Sequence, residues 1–325
     1  MITIGFSSHH VEALPFVREQ MQQHHVIVLE EPRSPNFQAM LSGAISIGDY
    51  ILELDSGFPE FDRQLCGLLQ ELYGKGQRIL QLEPYLEKLL KIHELFAAGK
   101  TVEQVMRMDD LTEVYLVERR ATAALISYYA RSVDAPFNVV VGAVKDFACA
   151  DALRLTLRER LRAKAIATLF RPEEKIYVEA GYIHYPLYQY LRRELRRTKD
   201  IRVVFLLAPV IKKLQGKRRN MGPGDILTLH YALHNGLKEE LADLLAARSL
   251  IYIKLIRKDE LLPGASETPH LEDEVKVNRL VDRLDYRQCQ ELFHQIRLAK
   301  QESAVELAED YVRRKVGNKP FSLSD

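Results

Sequence analysis

Short apolar, β-branched runs recur along this chain with amphipathic stretches between them, and that alternation constrains the fold more than any other feature. The runs are Ile2–Phe6, Val26–Glu30, Arg78–Glu83, Phe137–Val144, Lys175–Ala180, Ile201–Leu207 and Leu250–Ile256. Each has strand length and a mostly apolar make-up, the pattern of a strand buried on both faces. Between them, Leu14, Val17 and Met21 recur at i, i+3, i+7, and Leu187, Tyr190, Leu191 and Leu195 at i, i+3, i+4, i+8. Both spacings make one apolar stripe on a helix. Strands alternating with helices build βαβ units, so the expected fold is α/β, a mainly parallel sheet flanked by helices.

Two segments echo each other. "ITIGFSSHH" at 2–10 and "YVEAGYIHYP" at 177–186 each run from strand to glycine to histidine to helix, which points to two related halves. Residues 36–75 and 84–130 read as mostly helical and are long for a crossover, so a helical insertion of about 36–130 is expected in the first half. Pro84 ends the third run because it cannot donate to a ladder, and Gly99 closes the helix that follows. The polar, Pro/Gly-bearing stretch 257–274 reads as a mobile loop, 275–315 as helices and 318–325 as a frayed tail. The expected organisation is an α/β catalytic-type domain over 1–256, then the loop and C-terminal helices over 257–325.

Charge narrows the partners. With 46 Lys+Arg against 45 Asp+Glu the net charge is +1, which gives no general reason for nucleic acid or an anionic membrane. No stretch reaches the ~20 apolar residues of a membrane span, and no signal peptide is read at the start. Cys66, Cys149 and Cys289 are isolated and odd in number, as expected of a reducing compartment. A cytoplasmic protein is the expectation. The basic stretch "KKLQGKRRN" at 212–220 lacks the phosphate-loop pattern, and no Gly-x-Gly-x-x-Gly follows a strand. His230 and His234 stand at i, i+4 without the intervening glutamate of a zinc motif, and His24 and His25 read as a helix end. Lys145 and Asp146 lie at the end of the fourth run with no evident partner.

In parallel α/β sheets ligands bind beyond the carboxyl ends of the strands. The residues placed there are Gly5, Ser7, Ser8, His9 and His10 after the first run, Glu30 and Glu31 after the second, and Glu83 after the third. Glu179, Gly181 and His184 follow the fifth. Histidines and carboxylates converging on one rim suit either a divalent metal or shared acid–base work. Strand alternation turns only one of Glu30 and Glu31 inward, and His10 competes with His9.

These elements resemble the TraB/Tiki group of the erythromycin-esterase/ChaN-like superfamily. "IGFSSHHVEALPFVREQMQQHHVIVLEEPRS" is similar to its opening strand, glycine–histidine motif, helix and glutamate-ended strand, with Glu30 followed by Arg33. "RERLRAKAIATLFRPEEKIYVEAGYIHYPLYQYLRREL" is similar to its arginine-bearing helix and second motif, Gly181-Tyr-Ile-His184. The first motif, Gly5 to His9, is one residue longer than Gly-x-x-His. The resemblance implies a hydrolase with His9, Glu30, Arg162 and His184 around one pocket, lined further by Gly5, Ser8, His10, Arg33, Glu83, Glu179 and Gly181. In its metal-dependent form, His9, Glu30 and His184 would hold Mn, Co or Zn around an activated water. In the metal-free form His9 would take the proton from water and an arginine would stabilise the oxyanion. A small molecule or peptide is the implied substrate; the competing expectation is a non-catalytic binding protein for an anionic ligand or a partner protein.

Arg160 and Arg162 differ by about 200° in helical azimuth, so one faces the core and the other does not. Leu161, Ala165, Ile166 and Leu169 mark the buried arc, and Arg162 falls within it. Arg162 is therefore the inward arginine, to be paired with a rim carboxylate such as Glu30 or Glu179, because a buried unpaired charge is costly.

Overall fold

The computed structural model describes residues 1–54, 56–196, 200–214, 220–233 and 236–316. Its centre is an all-parallel sheet of β1 (Ile2–Ser7), β2 (Val26–Leu29), β3 (Arg78–Gln81), β4 (Ile176–Gly181) and β5 (Ile201–Phe205), in the order β3-β2-β4-β1-β5. The expected α/β architecture, with helices flanking a parallel sheet, is present. Among the described residues no helix is long and apolar enough to cross a membrane.

The strand order fixes where a site can form. β1 and β4 lie side by side, Ile4 against Val178 and Ser7 against Gly181. The crossover from β1 passes beyond β4 to β2, and the crossover from β4 passes beyond β1 to β5. Right-handed crossovers that depart in opposite directions put their helices on opposite faces. On one face the Pro186–Leu195 helix buries Leu187 and Leu191 against Ile2, Ile4, Phe6, Ile176 and Val178. On the other, the chain after the Leu14–Met21 helix brings the His24 ring to Thr3 Oγ1 at 2.8 Å. A crevice opens beyond the carboxyl ends of two neighbouring strands whose connections part in this way.

Two expected strands are helices. Phe137–Val144 begins the Phe137–Leu169 helix, and Leu250–Ile256 lies at the end of the Glu239–Leu255 helix. Continuous apolar runs do not distinguish a buried strand from a buried helix, and length decides. Here Phe137, Val140, Val141, Val144 and Ala148 are buried with helical spacing, while Val139 is exposed. Lys145 is accordingly on a helix face, paired with Glu239 and with Asp243 at 2.7 Å.

The chain divides into two compact units: Met1–Arg119, Leu153–Arg219 and Asp259–His270 hold the sheet, and Arg120–Ala152, Asn220–Lys258 and Leu271–Asp325 make a helical core. The division therefore falls elsewhere than at 256/257. Leu250, Ile251 and Leu255 pack with Leu284, Leu292, Phe293 and Tyr311, which groups 220–258 with the C-terminal helices. His234, residues 215–219 of the basic stretch and the tail from 317 lie outside the described residues.

Candidate functional site

Side-chain parity separates the two glutamates at the end of β2. Leu29 faces the side of the sheet that carries Thr3 and Tyr177, so Glu30 turns to the opposite side, where the Phe137–Leu169 helix packs. Glu30 is buried and gathers donors there: His184 Nε2 at 2.7 Å, Arg158 Nη2 at 2.9 Å and the Gly181 N–H at 2.8 Å. Arg162 Nη1 stands 3.5 Å from its other oxygen. Burial by itself would raise this carboxyl, but the charges of His184, Arg162 and Arg158 hold it well below the usual carboxylate range.

His184 reaches Glu30 because β4 ends on Gly181 and the chain turns at once into a 3-10 turn, Tyr182–His184. A Cβ on Gly181 would lie 3.3 Å from the His184 ring, so glycine leaves room for the ring to fold back over the strand end. The other ring nitrogen, Nδ1, meets Glu159 Oε1 at 2.5 Å. Burial works against a charged imidazole, yet Glu30 and Glu159 together push His184 up to about 9. At neutral pH it is a cation that donates to two carboxylates.

Arg162 completes the network from the helix. Its side chain is 0% exposed; Nη2 donates to the Glu179 carbonyl at 2.6 Å and Nε to the Leu82 carbonyl at 3.3 Å. With Glu30 on β2, this one guanidinium ties together the ends of β3, β2 and β4. Arg160 points away and pairs with Glu113 at 2.5 Å. Glu83 is fully buried against Arg158 Nε at 3.0 Å, and burial raises its carboxyl despite Arg158 and Arg162. Arg158 and Glu159, which join these groups, are absent from the residues picked out by sequence. Their signal was the i, i+4, i+8 row Arg154, Arg158 and Arg162, with Glu159 beside it, on one helix face.

Glu31 faces the other side of the sheet. It accepts from Gln81 Nε2 at 2.8 Å and is only partly buried. Burial, then the charge of Glu179, pushes its carboxyl up to about 7, while His9 acts in the opposite direction. The buried Glu179 carboxylate itself accepts the Glu30 N–H at 3.2 Å. Asp62, also near His9, is raised by burial. His9 is exposed and stacks on Phe61 of the Pro59–Gly74 helix, ring centroids 5.5 Å apart.

His9 and His184 therefore serve different groups: His9 stands with Phe61, Glu31 and Asp62, His184 with Glu30 and Glu159. The expected ligand set His9, Glu30 and His184 does not fit a metal ion. Both nitrogens of His184 are taken, Glu30 already accepts from His184, Arg158 and the Gly181 N–H, and two guanidiniums lie within 3.5 Å of it, where a second cation would be repelled. Among the described residues no group of three or more His, Cys, Asp and Glu is arranged to hold a metal. Protein purified without chelator or nickel resin should carry well below one Mn, Co or Zn per chain. His184→Ala should leave that content unchanged, whereas a stoichiometric metal lost in the variant would overturn the assignment.

The remaining expected residues have structural partners. Gly5 lies inside β1, where any Cβ would meet the Tyr177 ring and hydroxyl, so its glycine makes space for a neighbouring strand rather than for a ligand. The Ser8 carbonyl accepts from Ser7 Oγ at 3.1 Å. His10 stacks on His270 at 3.7 Å. Arg33 is exposed and stands 3.4 Å from Glu87. His24 is buried between Gln20 and Thr3.

No family model matches the chain, and no solved structure matches it. A protein of Archaeoglobus fulgidus described as "Uncharacterized protein" is 32% identical over 292 residues, which cover 90% of this chain and 97% of the archaeal one. The chain belongs to the family of that archaeal protein.

Proposed function

We propose that the chain is a hydrolase of the TraB/Tiki-like type, acting on an ester or peptide, in which Glu31 takes the proton from water and His9 works beside it. The observation that carries this reading is the division of labour between two adjacent glutamates. Glu30 is locked as a carboxylate among three cations, whereas Glu31, partly open to solvent beside Glu179, binds its proton with a pKa of about 7. A base poised near the working pH is what water activation requires. The buried network then positions rather than reacts. Arg162, which the metal-free chemistry would use on an oxyanion, is fully buried, and its Nη2 and Nε donate to strand-end carbonyls. His184 is held as a cation and has no lone pair with which to accept a proton.

Hydrolysis of p-nitrophenyl esters and peptide anilides tests the proposal. Glu31→Gln should lower kcat/KM about a hundredfold, the usual scale of a lost acid–base group, with the fold intact. Glu19→Gln, on the surface of the Leu14–Met21 helix, should change nothing. Equal rates above background in wild type and Glu31→Gln would remove Glu31 from the chemistry. Rates of both no higher than the uncatalysed reaction would favour the non-catalytic reading, a protein that binds an anionic ligand.

A further inference from the structure

The Pro59–Gly74 helix opens without a cap of its own. Its N-cap, Phe58, has no acceptor side chain, and Pro59 has no N–H, so the first donors in need of a partner belong to Glu60 and Phe61. One distant carboxylate serves both. Glu260 Oε2 accepts from the Glu60 N–H at 3.0 Å and Oε1 from the Phe61 N–H at 2.8 Å. Glu260 thus holds the turn that presents the Phe61 ring to His9 and places Asp62 beside it.

The loop carrying Glu260, Asp259–His270, is fastened at its neck. The Leu261 N–H donates to His270 Nε2 at 2.7 Å, which draws the two ends together. The His270 ring lies flat on His10, 3.7 Å away and inclined by 10°, and Phe58 packs against both rings at 5.3 and 5.8 Å. The His270 N–H donates to buried Glu12 at 3.0 Å. Beyond the neck, Leu262, Pro263, Gly264 and Ala265 are exposed. These fastenings are hydrogen bonds and ring contacts at one end of the loop, the kind of attachment that opens locally without unfolding the sheet.

We infer that the 259–270 loop is a latch on the candidate site, and that Glu260 is a positioning residue that sets His9 through Phe61. The inference rests on the reading of His9 and Glu31 as the reacting pair. With the latch closed, the first helical turn is capped and His9 is stacked beside Glu31. With it open, the uncapped turn frays and takes Phe61 and Asp62 away from His9.

Histidine-labelled full-length protein at a fixed, mildly alkaline pH provides the test, because the His9 and His10 ring signals report their stacking directly. Glu260→Ala should move both toward unstacked positions and raise the rate of thermolysin cutting between Leu261 and Ala265 about fivefold, the scale of a lost helix cap. The same variant should lower kcat on p-nitrophenyl butyrate with KM nearly unchanged. Glu260→Gln keeps one acceptor and should restore most of each effect, with cutting raised only about twofold. If Glu260→Ala does not fold, that smaller change carries the test. Glu267→Ala, an exposed carboxylate of the same loop, should be silent. Unchanged His9 signals and cutting in Glu260→Ala overturn the latch, even where Glu31→Gln abolishes hydrolysis. Shifted His9 signals together with an active Glu31→Gln keep the latch and overturn the catalytic reading instead.

Discussion

Replacing Arg162 with leucine will destabilise the protein by about 3–5 kcal/mol, the cost of removing one partner from a buried ionic network. Arg160→Leu, two residues away, will change stability by no more than ~0.5 kcal/mol, as exposed ion pairs do. The difference follows from what each guanidinium leaves behind. Without Arg162, the Leu82 and Glu179 carbonyls lose donors at the ends of adjacent strands, and Glu83 keeps Arg158 alone. Leucine fills the space of the stem but supplies none of these hydrogen bonds, and buried acceptors left unmade cost ~1–3 kcal/mol each. Urea unfolding of the two variants measures the contrast. A loss below ~1 kcal/mol for Arg162→Leu, or equal losses at both positions, would refute the view that this arginine ties β3, β2 and β4 together.

Arg162 was legible in sequence because helical azimuth is arithmetic: two residues shift a side chain by about 200°, and the neighbouring apolar residues mark which direction is inward. Arg158 and Glu159 lie on the same helix but were not legible, because position at a strand end does not mark residues that reach it from a helix face. The parallel sheet was legible as well, and its limit was physical. Phe137–Val144 and Leu250–Ile256 carry the composition of buried strands, and what makes them helices is the 33- and 17-residue lengths of the segments that contain them.

The glycine–histidine echo was real as a pattern and misleading in its alignment. Register pairs Ser7, not Gly5, with Gly181, so three residues beyond the paired strand ends stand His10 and His184. His9 has no counterpart in the second half, which is why it falls among different neighbours. Gly5 carries the same letter as Gly181 for a different reason, the Tyr177 ring of the adjacent strand. Glu30 and Glu31 were rivals on paper because alternation was expected to waste one of them. With helices on both faces of the sheet, both find partners, Glu30 buried and Glu31 partly open to solvent.

Alkaline pH will weaken the fold well before its lysines and tyrosines titrate. His184 binds its proton more tightly in the folded protein, with a pKa of about 9 against an ordinary 6.5, because Glu30 and Glu159 flank its ring. Its contribution is therefore fully present below pH 6.5 and is lost as pH rises through about 9, an order-of-magnitude loss of about 3 kcal/mol. Glu31 adds a smaller loss of the same sign at lower pH. Raised from 4.5 to about 7, it favours the fold while protonated and costs stability as it ionises across that interval, the amount reduced by its partial exposure. Glu30 acts in the opposite direction: held well below 4.5, it stabilises above that value and loses its contribution as acid protonates it. Below pH 6.5 the partly buried His10 ring, pushed down to about 3, is harder to protonate in the fold and so adds stability as pH rises, against Glu31. The clear fall should lie between 6.5 and about 9, read as the urea midpoint at each pH. His184→Gln should flatten the profile between 6.5 and about 9. Glu31→Gln should remove a downward component between 4.5 and about 7, leaving the profile steeper upward there than in the wild type. A His184→Gln profile that still fell with the wild-type slope above pH 7 would show that His184 is neutral in the folded protein, and the charge-balanced network around Glu30 would have to be redrawn.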